Sequence, residues 1–127
     1  MKTITVLALL AVVIAAIFSA VCSSGCAPQG NVFGAPISEA TVTPIGDILA
    51  QPQRFQDKTV RVEGKITQEC PAGGWFFLQD ATGMVYVNLH PSELAIPQAV
   101  GRQAVAQGVV RQEGPQVEII GKGVQLK

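Results

Sequence analysis

Charge is scarce in this chain: 14% of its 127 residues are Asp, Glu, Lys or Arg, nine basic against nine acidic, for a formal net charge of zero. That balance excludes a polybasic arm for nucleic acid and an acidic disordered tail. Histidine occurs once, as His90, so no zinc site of standard spacing can be built from histidines. There are three cysteines, one tryptophan and one tyrosine. What is plentiful is apolar side chain, 48% of the residues. At this length that is room for one domain and not two.

Long apolar runs are absent except at the N-terminus. Lys2 precedes an apolar stretch from Ile4 to Phe18 broken only by Thr5, and small and polar residues follow from Ser19 to Cys26. This is the order of regions in an export signal. Ile4 to Val21 falls just short of the ~20 apolar residues that cross a bilayer, so an uncleaved anchor helix stays open beside cleavage. Ser24-Gly25-Cys26 resembles the small-residue approach to the lipidated cysteine of bacterial lipoproteins, with Ser23 where a large aliphatic residue is usual. Lipidation at Cys26 is the favoured reading, and the protein is expected to be exported and membrane-anchored at the periplasmic or cell-surface side. Lipid at Cys26 leaves Cys70 as the one side-chain thiol of the mature chain. Without it, a Cys26–Cys70 bridge is open in an oxidising compartment.

Residues 1–26 are therefore read as the signal, 27–43 as a flexible tether and 44–127 as the folded domain. The tether carries Pro28, Gly30, Gly34 and Pro36 and shows no sustained period. Thr43 can cap a short helix with Pro44 at its first position; Ile45, Ile48 and Leu49 share one side, and Pro52 stops it. Phe55 follows in a loop as a plug. Then alternation begins. Val60, Val62 and Ile66 share one parity and Arg61, Glu63 and Lys65 the other, which is a half-buried strand. Gly64 falls on the apolar parity and marks a bulge or a sharp bend. Trp75–Asp80 and Met84–Leu89 read as a hairpin across Ala81-Thr82-Gly83, and a connector with room for one helical turn leads to a second hairpin, Gln103–Val110 and Gln116–Val124. Val60 to Ile66 aligns with Ala104 to Val110, glycine over glycine at Gly64 and Gly108. Two kinked strands among five suit a small sheet closed on itself.

The stretches Lys58–Gly64, Gly74-Trp75-Phe76-Phe77-Leu78-Gln79-Asp80-Ala81-Thr82-Gly83 and Gly101–Gly108 resemble the exported and lipid-anchored OB-fold proteins of bacteria and archaea related to tRNA-anticodon-binding OB domains. The likeness runs over about Ile45 to Leu126. It implies an all-β, five-stranded OB-fold barrel with a short N-terminal helix, preceded by the signal or anchor helix. That fold hosts oligonucleotide, oligosaccharide, protein and small-ligand binders, so it does not by itself name a function.

With Phe76 and Leu78 pointing inward, Trp75, Phe77 and Gln79 point outward; with Val85, Val87 and Leu89 inward, Met84, Tyr86 and Asn88 point outward. Trp75, Phe77 and Tyr86 then share the strand 2–3 face that OB-folds use as a ligand platform, with Arg61 and Lys65 at its edge. The alternative is that the helix, Phe55 or the tether covers these rings. Catalytic candidates are thin. His90 precedes Pro91 in a loop and Cys70 has no flanking base, so no enzyme activity and no cofactor is expected. Asp80 and Thr82 read as turn-formers. The membrane-anchored haem chaperone of cytochrome c assembly also places an OB barrel behind an anchor, but its C-terminal histidine and tyrosine motif has no counterpart here. Two functions follow: a non-catalytic module binding an oligonucleotide, glycan or small planar ligand on the aromatic face, or an interaction protein docking on an envelope protein.

Overall fold

A computed structural model describes residues 31–127. The expected signal, Cys26 and the first four tether residues lie outside them. Among the described residues no helix is long and apolar enough to cross a membrane. The elements are β1 (Val32–Gly34), α1 (Ile45–Ala50), α2 (Pro52–Phe55), β2 (Thr59–Glu69), β3 (Trp75–Gln79), β4 (Met84–Asn88), a 3-10 turn (His90–Ser92), β5 (Gln103–Glu113) and β6 (Gln116–Leu126).

Alternation drives each strand's inner face into one core. Val62, Ile66, Phe76, Leu78, Val85 and Val87 are fully enclosed, and Ile45 and Ile48 of α1 close one end. The sheet runs β2 to β3 to β4, then parallel to β6, then antiparallel to β5, which pairs back with β2. The result is a closed five-stranded barrel, which leaves no long free edge.

Closure makes β2 serve two neighbours: Thr59 to Lys65 pair with β5, and Lys65 to Glu69 with β3. Gly64 sits at the changeover, where a Cβ would run into the Gln79 carbonyl. Gly108 plays the same part against the Ile120 carbonyl, and the register slips beside it, between Gln107 and Gly108. In β2 the irregularity falls two residues beyond the glycine, between Ile66 and Gln68. Gly64 is thus a point of close approach where β2 changes neighbours; of the bulge or sharp bend expected there, the bulge lies further along.

The tether expectation is corrected. Val32–Gly34 adds an antiparallel strand to β6, with Val32 opposite Gln125. The chain then crosses the outside of β5 and β2 as a strap. The Gln107 Oε1 accepts from the Ser38 and Glu39 amides, both at 2.8 Å, and the Arg61 guanidinium donates to the Glu39 carbonyl at 3.1 Å. The Thr43 amide donates to the Arg61 carbonyl at 2.8 Å. Beneath the strap Val105 is fully buried although it faces away from the core, which explains why residues 104–106 are apolar without alternation.

The helix is also capped differently. The Thr43 side chain does not cap α1, and Pro44 is its N-cap residue. α1 ends before Pro52, as expected, and Pro52 then opens the separate α2, because its missing N–H costs nothing in a first turn. Phe55 therefore lies on α2, packed against the core. Leu49 is 38% exposed, off the buried side it was expected to share with Ile45 and Ile48.

Gln107→Ala removes the acceptor of two strap amides. Both bonds are part-buried and a hydrogen bond of this kind is worth about 0.5–1.5 kcal/mol net, so the variant's urea midpoint is expected to fall accordingly at unchanged m-value. An unshifted midpoint would show that the strap contributes nothing to the barrel.

Candidate ligand-binding face

The β3–β4 hairpin carries the aromatic face, and its turn is built by one carboxylate. The Asp80 Oδ1 accepts from the Thr82 amide at 2.7 Å, the Thr82 hydroxyl at 2.6 Å and the Gly83 amide at 3.0 Å. Its Oδ2 accepts from the Ile45 amide at 3.0 Å, while the Thr82 Oγ1 accepts from the Gly46 amide at 2.8 Å. Two residues that form the expected turn therefore also cap α1 from 35 positions away, satisfying donors that the helix cannot. Desolvation raises the Asp80 pKa, but the hydrogen bonds from Ile45, Thr82 and Gly83 outweigh it and hold the carboxyl below its ordinary 3.8.

A depressed folded pKa means that Asp80 stabilises the fold fully above the ordinary carboxylate value and loses that contribution as pH falls through the folded one. Asp80→Asn keeps an acceptor and removes the charge. It is expected to cost about 1 kcal/mol at neutral pH, as for a lost cap, and to differ less from the native chain in acid, as pH falls through the lowered pKa and Asp80 itself loses its charge. Urea melts at both pH values check it; an equal deficit at both would remove the charge from the account.

Above this turn the outward side chains of the two strands meet. Phe77 lies opposite Tyr86 in register and Trp75 opposite Asn88. Ring centroids are 5.3 Å apart for Phe77–Tyr86, 5.8 Å for Trp75–Tyr86 and 5.9 Å for Trp75–Phe77, with interplanar angles of 55°, 42° and 81°. The rings form one touching, mutually tilted cluster, each half-buried largely by the others. Among the described residues, the strap crosses the opposite side of the barrel, and α1 and α2 lie at the hairpin's far end. Within that span the three rings are half-buried and stand outside the core cluster.

The parallel β4–β6 register brings Glu118 beside Tyr86, and the Asn88 amide donates to its carboxylate at 3.4 Å. Desolvation, then the negative charge of Glu118, then Cys70 push the Tyr86 phenol above its ordinary 10.0. Gln68 lies opposite Phe77 across the bulge. Lys65 is exposed beside Gln79, at the rim. Arg61 is not brought to the face. It sits on the β2–β5 side, paired with Glu63 at 2.7 Å and spent on the strap. Cys70 is half-buried, its amide donating to the Trp75 carbonyl at 3.0 Å, and His90 is exposed on the 3-10 turn. No group of three or more His, Cys, Asp or Glu side chains among the described residues is placed to hold a metal. Glu118 went unrecognised because a parallel pairing between strands 30 positions apart leaves no local signal.

No family model matches the chain, and no curated protein does. Among solved structures it is similar to the hypothetical protein YgiW from E. coli, at 20% identity and a TM-score of 0.52, over 78% of this chain and all of that one. A putative aspartyl-tRNA synthetase from Leishmania major Friedlin overlaps 73% of this chain and 23% of its own, at 17% identity and a TM-score of 0.49. The YgiW likeness and the closed order of five strands agree. The barrel is an OB-fold.

Since Tyr86 is the chain's one tyrosine, ultraviolet titration reads it alone. Its pKa is expected above 10.0, and Glu118→Gln is expected to lower it only part of the way, because desolvation is the larger cause. A Glu118→Gln variant that titrates as the native chain does would separate Glu118 from the face.

Proposed function

We propose that this chain is an exported, membrane-anchored and non-catalytic OB-fold binding module, held by lipid at Cys26 or by its uncleaved helix, whose ligand rests on Trp75, Phe77 and Tyr86. The observation that carries the reading is the position of that cluster, on the strand face that OB-folds use for ligands, with the strap on the other side. The ligand class is narrowed by charge. Nucleic-acid affinity draws heavily on cations that neutralise phosphates, and here Arg61 is engaged elsewhere, Lys65 stands at the rim and Glu118 is the charge nearest the rings. Rings flanked by Asn88, Gln68 and a carboxylate suit a neutral sugar chain, with ring faces against C–H surfaces and amides for the hydroxyls.

A second reading has its own support. Two concavities, about 420 Å³ beside Gln53, Gln56 and Gln112 and about 200 Å³ beside Asp47, Arg54 and Phe55, lie away from the rings. A cluster of touching, half-exposed rings also suits a flat protein partner on the membrane's outer side.

Trp75 is the only tryptophan, so its emission and quencher access report on the face directly. Titration with soluble oligosaccharides is expected to shift the emission, and single-stranded oligonucleotides at low salt are expected not to. If stacking here is worth the ~1–3 kcal/mol typical of a base on an aromatic side chain, Tyr86→Ala should weaken sugar binding by roughly tenfold. Oligonucleotide binding with a steep salt dependence would overturn the sugar assignment. Indifference of Trp75 to every such ligand would favour the protein-docking reading.

A further inference from the structure

The strand pairings sort the loops to two ends of the barrel. One end holds residues 70–74, the connector 89–102, the start of β1 and the end of β6. Hydrogen bonds from the Ile96 amide to the Gly73 carbonyl, from Ile66 to Arg102 and from Leu126 to Asn31 knit them together. The other end holds both helices and the turns at 80–83 and 113–116.

The two ends differ in chemistry. The helical end carries Asp47, Arg54, Asp57, Lys58, Arg111 and Glu113, all exposed. Loops 70–74 and 94–101 hold no charged residue, and their exposed positions include Pro71, Ala72, Ala95 and Pro97. Val100 is 58% exposed, the most of any large apolar side chain among the described residues, and Val32 44%; of the others, Val42 lies on the strap, and Leu49 and Met84 stand at the helical end among its charges. The flanking charges are Arg102, Lys127 and Glu93, all exposed, and the half-buried Glu69, whose carboxylate accepts from the Ala99 amide at 2.9 Å.

The strap decides how this end is presented. Because Val32–Gly34 is paired into β6, the leash from Cys26 is not the 17 residues of the expected tether but the six steps to Val32. Fully extended, six steps reach at most about 20 Å. The 11 residues of β6, at ~3.3 Å each and with the ~40° tilt of a small barrel, span about 27 Å along the axis. The leash leaves from the uncharged end, since β1 runs from Val32 opposite Gln125 inward to Gly34 opposite Gly123. It is too short to let the charged helical end reach the surface in its place.

We propose that the uncharged loop end is a membrane-contact surface, seated on the lipid interface through Val100, Val32 and the proline- and alanine-bearing loops, with Arg102 at the headgroups. This rests on the anchoring at Cys26 proposed above. Apolar, charge-free loops gain by entering the interfacial layer, whereas the charged end would lose hydration there. Trp75 opens β3 at the contact end, so the aromatic face stands upright on the membrane with Trp75 lowest.

The test uses the full-length lipidated chain in phosphatidylcholine–phosphatidylglycerol vesicles bearing a small fraction of dansyl-headgroup lipid, read by energy transfer from tryptophan. Transfer from native Trp75 is expected to be several-fold stronger than from a Trp75→Phe, Gln53→Trp variant, whose tryptophan sits at the helical end. Val100→Glu, at an exposed position that does not enter the core, is expected to lower Trp75 transfer while leaving it above the helical-end level that the leash forbids, and unchanged transfer would overturn the contact through Val100. Equal transfer from both positions in vesicle-bound protein overturns the orientation and leaves the anchoring intact. A chain that carries no lipid at Cys26 and does not enter vesicles overturns the anchoring and this inference with it.

Discussion

Closing a five-stranded sheet on itself is the constraint on which everything else in this molecule depends. A small barrel has no spare strand, so β2 must leave β5 and take up β3 within one residue, at Lys65. That exchange is possible only if the strand curls hard and another backbone approaches where a side chain would stand. Gly64 opens the space on β2 and Gly108 opens it on β5. Once the barrel is closed, the inner faces form a single core without a groove, and everything that could meet a ligand or a surface is left outside or at the two ends.

That constraint explains what was legible in the sequence. The paired glycines, the parity of Val60, Val62 and Ile66, and the outward set Trp75, Phe77 and Tyr86 are local patterns imposed by a strand with one buried face. They place five strands and the aromatic cluster without knowledge of any partner strand. The misreadings have a common source. The strap, the Gln107 amide beneath it, the capping of α1 by Asp80 and Thr82, and the approach of Glu118 to Tyr86 all join residues from different elements, most of them 30 or more positions apart. No periodicity records such contacts. One trace was present: Ala104, Val105 and Ala106 break the alternation, and a strand apolar on both sides needs something to cover its outer face.

Asp80 shows how closely local and distant demands are combined. An Asp-x-Thr-Gly turn needs one carboxylate oxygen for its own amides. The second oxygen is free to meet a helix N-terminus, and α1 is too short to be stable on its own. The hairpin that presents the aromatic cluster is therefore tied to the helix that plugs the core. The hydrogen bonds that fix the turn also fix how Trp75, Phe77 and Tyr86 stand relative to the rest of the barrel.

The strap adds a division of labour that a bare barrel would lack. By spending Arg61 and Gln107 on the segment before α1, the fold neutralises and covers the β5–β2 side. The β3–β4 side is left with rings, amides and one carboxylate, and few cations to recruit phosphates. The same segment, paired to β6, sets where the chain leaves the barrel. One short stretch of sequence, without a period of its own, thus selects both the side of the barrel left uncovered and the end from which the chain leaves toward its N-terminus. That coupling follows from pairing and hydrogen bonding alone, and it would hold for any ligand the aromatic face accepts.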